Sequence, residues 1–181
     1  MFSKDRENVI FVSILLCKDT TVMAIIRPIE TRDNTALASV IRSVLIELGV
    51  PKVGTAFADP ELDAMDVAYQ KERSIYFVVE DEGTICGGAG IAPLAGEAPH
   101  ICELQKMYFL PQARGKGLGS QMMKSCLSFA RKQNFSLCYL ETLPQMKAAQ
   151  SLYRKSGFSY IDAPMGSTGH TSCNVWLTKP L

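Results

Sequence analysis

The sequence predicts a single α/β (α+β) domain: a mixed central sheet with flanking helices. Three observations carry that expectation. Ser74–Glu80 and Thr84–Ala92 are apolar, β-forming runs joined by Asp81-Glu82-Gly83, a hairpin turn signal, so antiparallel pairing comes early in the chain. A glycine-rich turn then separates the strand Ile101–Leu110 from a helix whose apolar residues Leu118, Met122, Met123, Cys126, Leu127 and Ala130 recur at helical spacing. That helix is followed by a second apolar strand, Leu137–Thr142, and a helix between two strands is the crossover that parallel pairing requires. At 181 residues the chain is long enough for one domain with a substantial core and too short to expect two.

The remaining elements follow in order. Lys4 and Arg6 precede the apolar run Val9–Cys17, which faintly resembles a signal peptide but is too short to span a bilayer and lacks a small-x-small cleavage site. Residues 1–22 are therefore expected to be an N-terminal extension, upstream of the domain at 23–181. Ala24–Glu30 reads as a strand, ended by the Arg27-Pro28 step. Thr31 and Asp33 are N-cap candidates for a helix with an inner stripe of Leu37, Val40, Ile41, Val44, Leu45 and Leu48, stopped by Gly49 and Pro51. Asp59-Pro60 opens a shorter helix, with Leu62, Met65, Ala68 and Tyr69 inward. Asp59, Glu61, Asp63 and Asp66 read as a solvated acidic face, with a weaker hint of a cationic acceptor. Gly87-Gly88-Ala89-Gly90 within a strand signals a bulge or a close backbone approach. Met146–Lys155 is a helix closed by Gly157, and Phe158–Ile161 and Asn174–Thr178 supply the last strands around a polar loop at Ala163–Cys173.

Composition narrows the function classes. A hydrophobic share of 47% and a charged share of 20% are ordinary for a soluble globular protein. A formal net charge of +1 offers nothing to nucleic acid or to an anionic membrane surface. Cysteines 17, 86, 102, 126, 138 and 173 are scattered without a Cys-x-x-Cys pair, the habit of reduced thiols in a cytoplasmic protein, and no metal site is expected.

Chemistry concentrates in Arg114-Gly115-Lys116-Gly117-Leu118-Gly119-Ser120. Strand, glycine turn and helix in that order put unpaired backbone N–H groups at a helix N-terminus, where an anion is favoured. The glycines remove side chains that would hold a phosphate away, and Arg114 and Lys116 add mobile positive charge. Taken alone, the turn fits a solvated loop as well as a phosphate site. The spacing is neither that of a Walker loop nor that of a dinucleotide fingerprint.

Arg114–Gly119 resembles the Arg/Gln-x-x-Gly-x-Gly/Ala signature of the GCN5-related N-acetyltransferases. Ala149-Gln150-Ser151-Leu152-Tyr153-Arg154-Lys155-Ser156-Gly157-Phe158 resembles a second phrase of the same family, and the likeness runs from Ala24 to Leu181. It implies a central sheet with two splayed parallel strands, acetyl-CoA as co-substrate, and direct attack by a primary amine in a ternary complex. By that likeness the turn residues 114–120 grip the pyrophosphate, Met107 and Phe109 offer backbone contacts to the pantetheine arm, and an amide near Tyr108–Phe109 polarises the thioester carbonyl. The family's asparagine ahead of the helix tyrosine is Met146 here, so that contact is expected to pass to Thr142 or Gln145. Tyr153 matches the family's general acid. Glu103 is the candidate general base, directly or through water, with a structural or substrate-orienting role as its alternative. By strand alternation it shares a face with Gln105 and Met107. His170 and Cys173 form a weaker nucleophile-pair reading. A small-molecule amine or a protein amine would serve as acceptor, and a homodimer stays open from sequence. The competing class is a catalytically silent acyl-CoA-binding regulatory module.

Overall fold

The computed structural model describes residues 24–181. The expected extension at 1–22 and Cys17 lie outside them. Seven strands form one mixed sheet: β1 (Ala24–Pro28), β2 (Ile75–Asp81), β3 (Thr84–Pro93), β4 (Ile101–Phe109), β5 (Leu137–Thr142), β6 (Ser159–Ile161) and β7 (Val175–Pro180), in spatial order β1-β2-β3-β4-β5-β7-β6. The helices are α1 (Asn34–Glu47), the one-turn α2 (Met65–Ala68), α3 (Leu118–Lys132) and α4 (Lys147–Lys155). The pairings β1·β2, β2·β3 and β3·β4 are antiparallel, and the β2–β3 hairpin turns on Glu82 and Gly83, whose φ angles are 49° and 78°.

The two faces of the sheet bury separate cores. Beneath one face, α3 sets Leu118, Met122, Met123, Cys126, Leu127 and Ala130 against Cys102, Leu104, Cys138 and Leu140, joined by Tyr153 and Phe158. On the other, the α1 stripe Leu37, Val40, Ile41 and Leu45 meets Leu62, Met65, Tyr69 and Tyr76. Gly49, at φ 62°, and Gly157, at φ 89°, end α1 and α4. One cap differs from expectation. Asp33 accepts from Arg27 at 2.6 and 2.8 Å and from the Glu30 N–H at 2.8 Å, and so braces β1 against α1 instead of capping the helix amides.

Two irregularities open the sheet at its centre. β4 and β5 pair in parallel only from Ile101↔Leu137 to Glu103↔Tyr139, and beyond this the strands diverge. Opposite the glycine run of β3, the register slips between Gly88↔Tyr108 and Gly90↔Gln105, with Lys106 at φ 50°. This is the bulge signalled by Gly87–Gly90. It leaves one extra residue on β4, just past the last β4–β5 pair.

Candidate active site

The glycines of β3 shape the site by admitting two tyrosines. A Cβ at Gly88 would lie 2.5 Å from Tyr76 Cε1, and one at Gly90 2.5 Å from Tyr69 Cε1. Both rings therefore press against bare backbone, in a T-shaped pair with centroids 5.2 Å apart and planes at 61°. Tyr76 donates its buried hydroxyl to the Lys106 carbonyl at 2.7 Å, which pins the bulge. Tyr69 donates to Gln105 Oε1 at 2.6 Å, and Gln105 Nε2 donates to Glu103 Oε2 at 2.6 Å. A side-chain relay thus ends on Glu103, itself only 4% exposed. Burial raises the Glu103 carboxyl above its ordinary value, opposed by the Gln105 hydrogen bond and by the charge of His170, and reinforced by Glu141.

The bulge corrects the strand-face expectation. Glu103 and Gln105 do share a face, but Met107 packs beneath the sheet with the α3 core, while Lys106 turns to the Glu103 side. Alternation fails because the left-handed Lys106 shifts the period by one residue. Lys106, with a side chain 3% exposed, meets Asp59 at 2.7 Å and Glu61 at 3.1 Å. His170 Nε2 stands 3.2 Å from Asp59 Oδ2. Burial works against the Lys106 charge, but the two carboxylates outweigh it and hold its pKa above the ordinary value. The same Asp59 hydrogen bond raises the imidazole of His170, against the effect of burial.

The acidic run is therefore not a free cation site. Asp59 and Glu61 neutralise Lys106, Asp63 pairs with Arg42 at 2.7 Å, and Asp66 accepts from Thr31 and Asn34 at 2.7 and 2.6 Å. His170 faces Asp59 and not a thiol, and burial pushes Cys173 up to about 12. Neither observation favours a nucleophile pair.

Where the strands diverge, a cavity is lined by residues that include Lys106, Met107, Tyr108, Glu141, Thr142, Met146, Tyr153 and Cys173. Tyr153 reaches it from α4, its ring tilted against Phe158 with centroids 6.2 Å apart. Burial raises the Tyr153 hydroxyl above its ordinary pKa, so it stays protonated. Gln150, one turn earlier, fixes α4 to the end of β5 by donating to the carbonyls of Leu143 at 2.8 Å and Pro144 at 3.2 Å. Thr142 lines the cavity, whereas Gln145 is exposed and lies outside its lining. Of the two expected substitutes for the missing asparagine, the fold brings in only Thr142.

The glycine turn lies next to Met107 of that lining, since a Cβ at Gly119 would be 3.9 Å from Met107 Cε. Gly115 and Gly117 adopt φ 74° and 79°, with Gly117 as the N-cap of α3. Among the described residues no backbone partner accepts from the N–H groups of residues 115–119. A Cβ at Gly119 would sit 3.2 Å from Leu152 Cδ2, so its glycine lets α3 and α4 close together. These open amides at a helix start fit a phosphate. Arg114 departs from expectation: it donates to the Phe109 carbonyl at 2.8 Å and to Glu47 at 2.7 and 2.8 Å, tying the turn to α1 instead of offering mobile charge. Glu103, Tyr153 and the turn are legible in the sequence, whereas the roles of Tyr69, Lys106, Gln150 and Glu141 are not. The glycine run of β3 was the one signal pointing to Tyr69 and Lys106.

A divided parallel pair, an open-amide turn ahead of α3 and a buried tyrosine on α4 are what the acetyltransferase resemblance implies for an acyltransferase fold, and known relatives agree. The family model described as Acetyltransferase (GNAT) family matches residues 46–158. An uncharacterized N-acetyltransferase YjgM of Escherichia coli K12 is 45% identical over 158 residues, covering 87% of this chain and 95% of that protein. The N-alpha-acetyltransferase RimI of Mycobacterium tuberculosis is 33% identical over 86 residues, 48% of this chain and 52% of its own length. The PaiA N-acetyltransferase of Thermoplasma acidophilum, solved in complex with coenzyme A, superposes with a TM-score of 0.70 at 18% identity over 87% of this chain and 99% of that one. This chain belongs to the GNAT acetyltransferase family and is an acyltransferase. No helix among the described residues is long and apolar enough to cross a membrane.

Proposed function

We propose that this protein transfers the acetyl group of acetyl-CoA to a primary amine by direct attack in a ternary complex. The observation that carries the reading is the meeting of the Tyr153 side chain and the open edge of β4 at one gap, with the unpaired amides of 115–119 beside its Met107 wall, where a Cβ at Gly119 would lie 3.9 Å from Met107 Cε. Acetyl-CoA would supply an activated acetyl group as a thioester. The turn amides and Ser120 would take its phosphates. The β4 edge at Met107–Phe109 would take its amide-rich arm, and Thr142 would replace the missing asparagine. An N–H near Tyr108–Phe109 would stabilise the charge developing on the carbonyl oxygen, a contribution of about 3 kcal/mol for a well-aimed donor.

Glu103 takes one proton from the entering ammonium, directly or through water, and its raised pKa suits it to hold that proton. The nitrogen lone pair then forms the C–N bond as the C–S bond breaks, and the sulfur takes the Tyr153 hydroxyl proton. The nitrogen sheds its second proton, which restores Tyr153 through solvent, and one net proton passes from Glu103 to water. Calorimetric titration with acetyl-CoA, desulpho-coenzyme A and NAD tests the assignment. Binding selective for the coenzyme A compounds, followed by thiol release with an amine panel, is the expected result. Equal or absent binding of all three refutes the reading.

A further inference from the structure

Two side-chain oxygens among the described residues are buried without a hydrogen-bond partner: Asp81 Oδ1 and Glu141 Oε2. Asp81 sits opposite Thr84 where the β2–β3 hairpin closes. Glu141 is different, because it lines the cavity that Tyr153 enters. It stands two residues after Tyr139 on β5, and so on the same face, and Tyr139 is the residue paired with Glu103. The two carboxylates therefore lie diagonally across the point where the strands part.

The other oxygen of Glu141 is held from two sides. Tyr139 donates its hydroxyl to Oε1 at 2.7 Å, and Thr168 Oγ1 donates at 3.0 Å. Thr168 belongs to the β6–β7 loop, which is itself fastened: Ser167 N–H donates to the Ala95 carbonyl at 2.7 Å, Ser172 N–H to the Gly54 carbonyl at 3.0 Å, and His170 meets Asp59. The carboxylate cannot turn to satisfy its second oxygen without giving up the first. A buried carboxylate oxygen is an acceptor only, and leaving it bare is costly, so the missing partner is a donor. Nearby positive charge is already committed, since Lys106 is neutralised by Asp59 and Glu61. With Glu103 adding a second carboxyl on the same face, a cationic donor suits the position best.

We infer that Glu141 Oε2 is the anchor for the acceptor, taking a hydrogen bond from the ammonium of a cationic primary amine and selecting it over a neutral amine of the same shape. The inference rests on the amine-acetyltransferase reading above. It makes Glu141 an acceptor-binding residue, with proton removal left to Glu103. The β6–β7 loop becomes the wall that aims it.

The test compares hexylamine with O-pentylhydroxylamine, which has the same length but is uncharged at neutral pH, each as substrate or as competitor of the best amine in the panel. Wild-type protein should favour hexylamine. Glu141→Gln should raise the KM or inhibition constant of hexylamine by about 10-fold or more and lose the preference, with acetyl-CoA affinity unchanged. Wild-type protein indifferent to the charge, or Glu141→Gln that keeps the preference, overturns the inference while leaving acetyl transfer intact. Should Glu141→Gln also lose acetyl-CoA affinity, Thr168→Ala, which frees the carboxylate that Thr168 aims, should narrow the hexylamine preference, and an unchanged preference overturns the inference. No transfer to any amine by protein that binds acetyl-CoA refutes the function proposed above and this inference with it.

Discussion

Gly90→Ala puts the relay onto Glu103 under direct strain. The added Cβ would stand 2.5 Å from Tyr69 Cε1 and 2.7 Å from both its Cζ and its hydroxyl oxygen. The ring has no room to retreat, being buried and crossed edge-on by Tyr76 at 5.2 Å. Overpacking of this kind costs about 1–3 kcal/mol. Displacing the ring also breaks the 2.6 Å bond to Gln105, worth about 1 kcal/mol more. Tyr69→Phe removes only the second contribution, so Gly90→Ala should be the less stable of the two in urea unfolding. Function should move as well. The Gln105 hydrogen bond lowers the Glu103 pKa, so loosening Gln105 lets burial raise it further, and the acidic limb of the pH–rate profile shifts to higher pH in both variants. Glu103→Gln should abolish that limb. Gly90→Ala with wild-type stability and an unmoved limb would refute the wedge and the relay together.

The remaining expectations concern the tyrosine, the turn and the loop. Tyr153→Phe keeps the ring against Phe158 and should lower turnover about 100-fold at unchanged acetyl-CoA affinity, measured by thiol release and calorimetry. Wild-type turnover would reduce the tyrosine to packing. Gly117→Val meets open space, so its cost is purely backbone: φ of 79° disfavours a side chain by roughly 1–2 kcal/mol. The turn should rearrange and acetyl-CoA affinity fall at least about tenfold, because the amides lose their common aim. His170→Ala should flatten part of the stability-versus-pH curve seen in thermal melts. Asp59 raises the imidazole pKa above 6.5, so its contribution is complete below that value and fades as pH climbs through the raised one. Asp59 is lowered from 3.8, so its own contribution fades instead as acid is added. An identical pH dependence in His170→Ala would show that the loop clasp contributes nothing.

Much of this protein is legible in its sequence, for reasons that are local. Helix periodicity over Leu118–Ala130, the Asp81-Glu82-Gly83 turn, the glycines ahead of α3 and the closing Gly157 each depend on neighbours within a few residues. Tyr153 came from a phrase and Glu103 from its strand, and both lie where the β4–β5 pair parts. What the chain could not announce was any arrangement between distant segments. The left-handed Lys106 reverses the alternation that would have put Met107 beside Glu103, and it exists because Tyr76, 30 positions away, holds its carbonyl. Arg114 looked like mobile charge until α1 supplied Glu47, 67 positions away. Asp59 and Glu61 read as part of a solvated face until Lys106 and His170 folded onto them, while Asp63 stays exposed, and nothing local to Glu141 marks its bare oxygen. Local sequence sets backbone preference and helix ends through short-range sterics and hydrogen bonds. Which charges are neutralised and which oxygen stays bare depends on partners that only tertiary packing brings together.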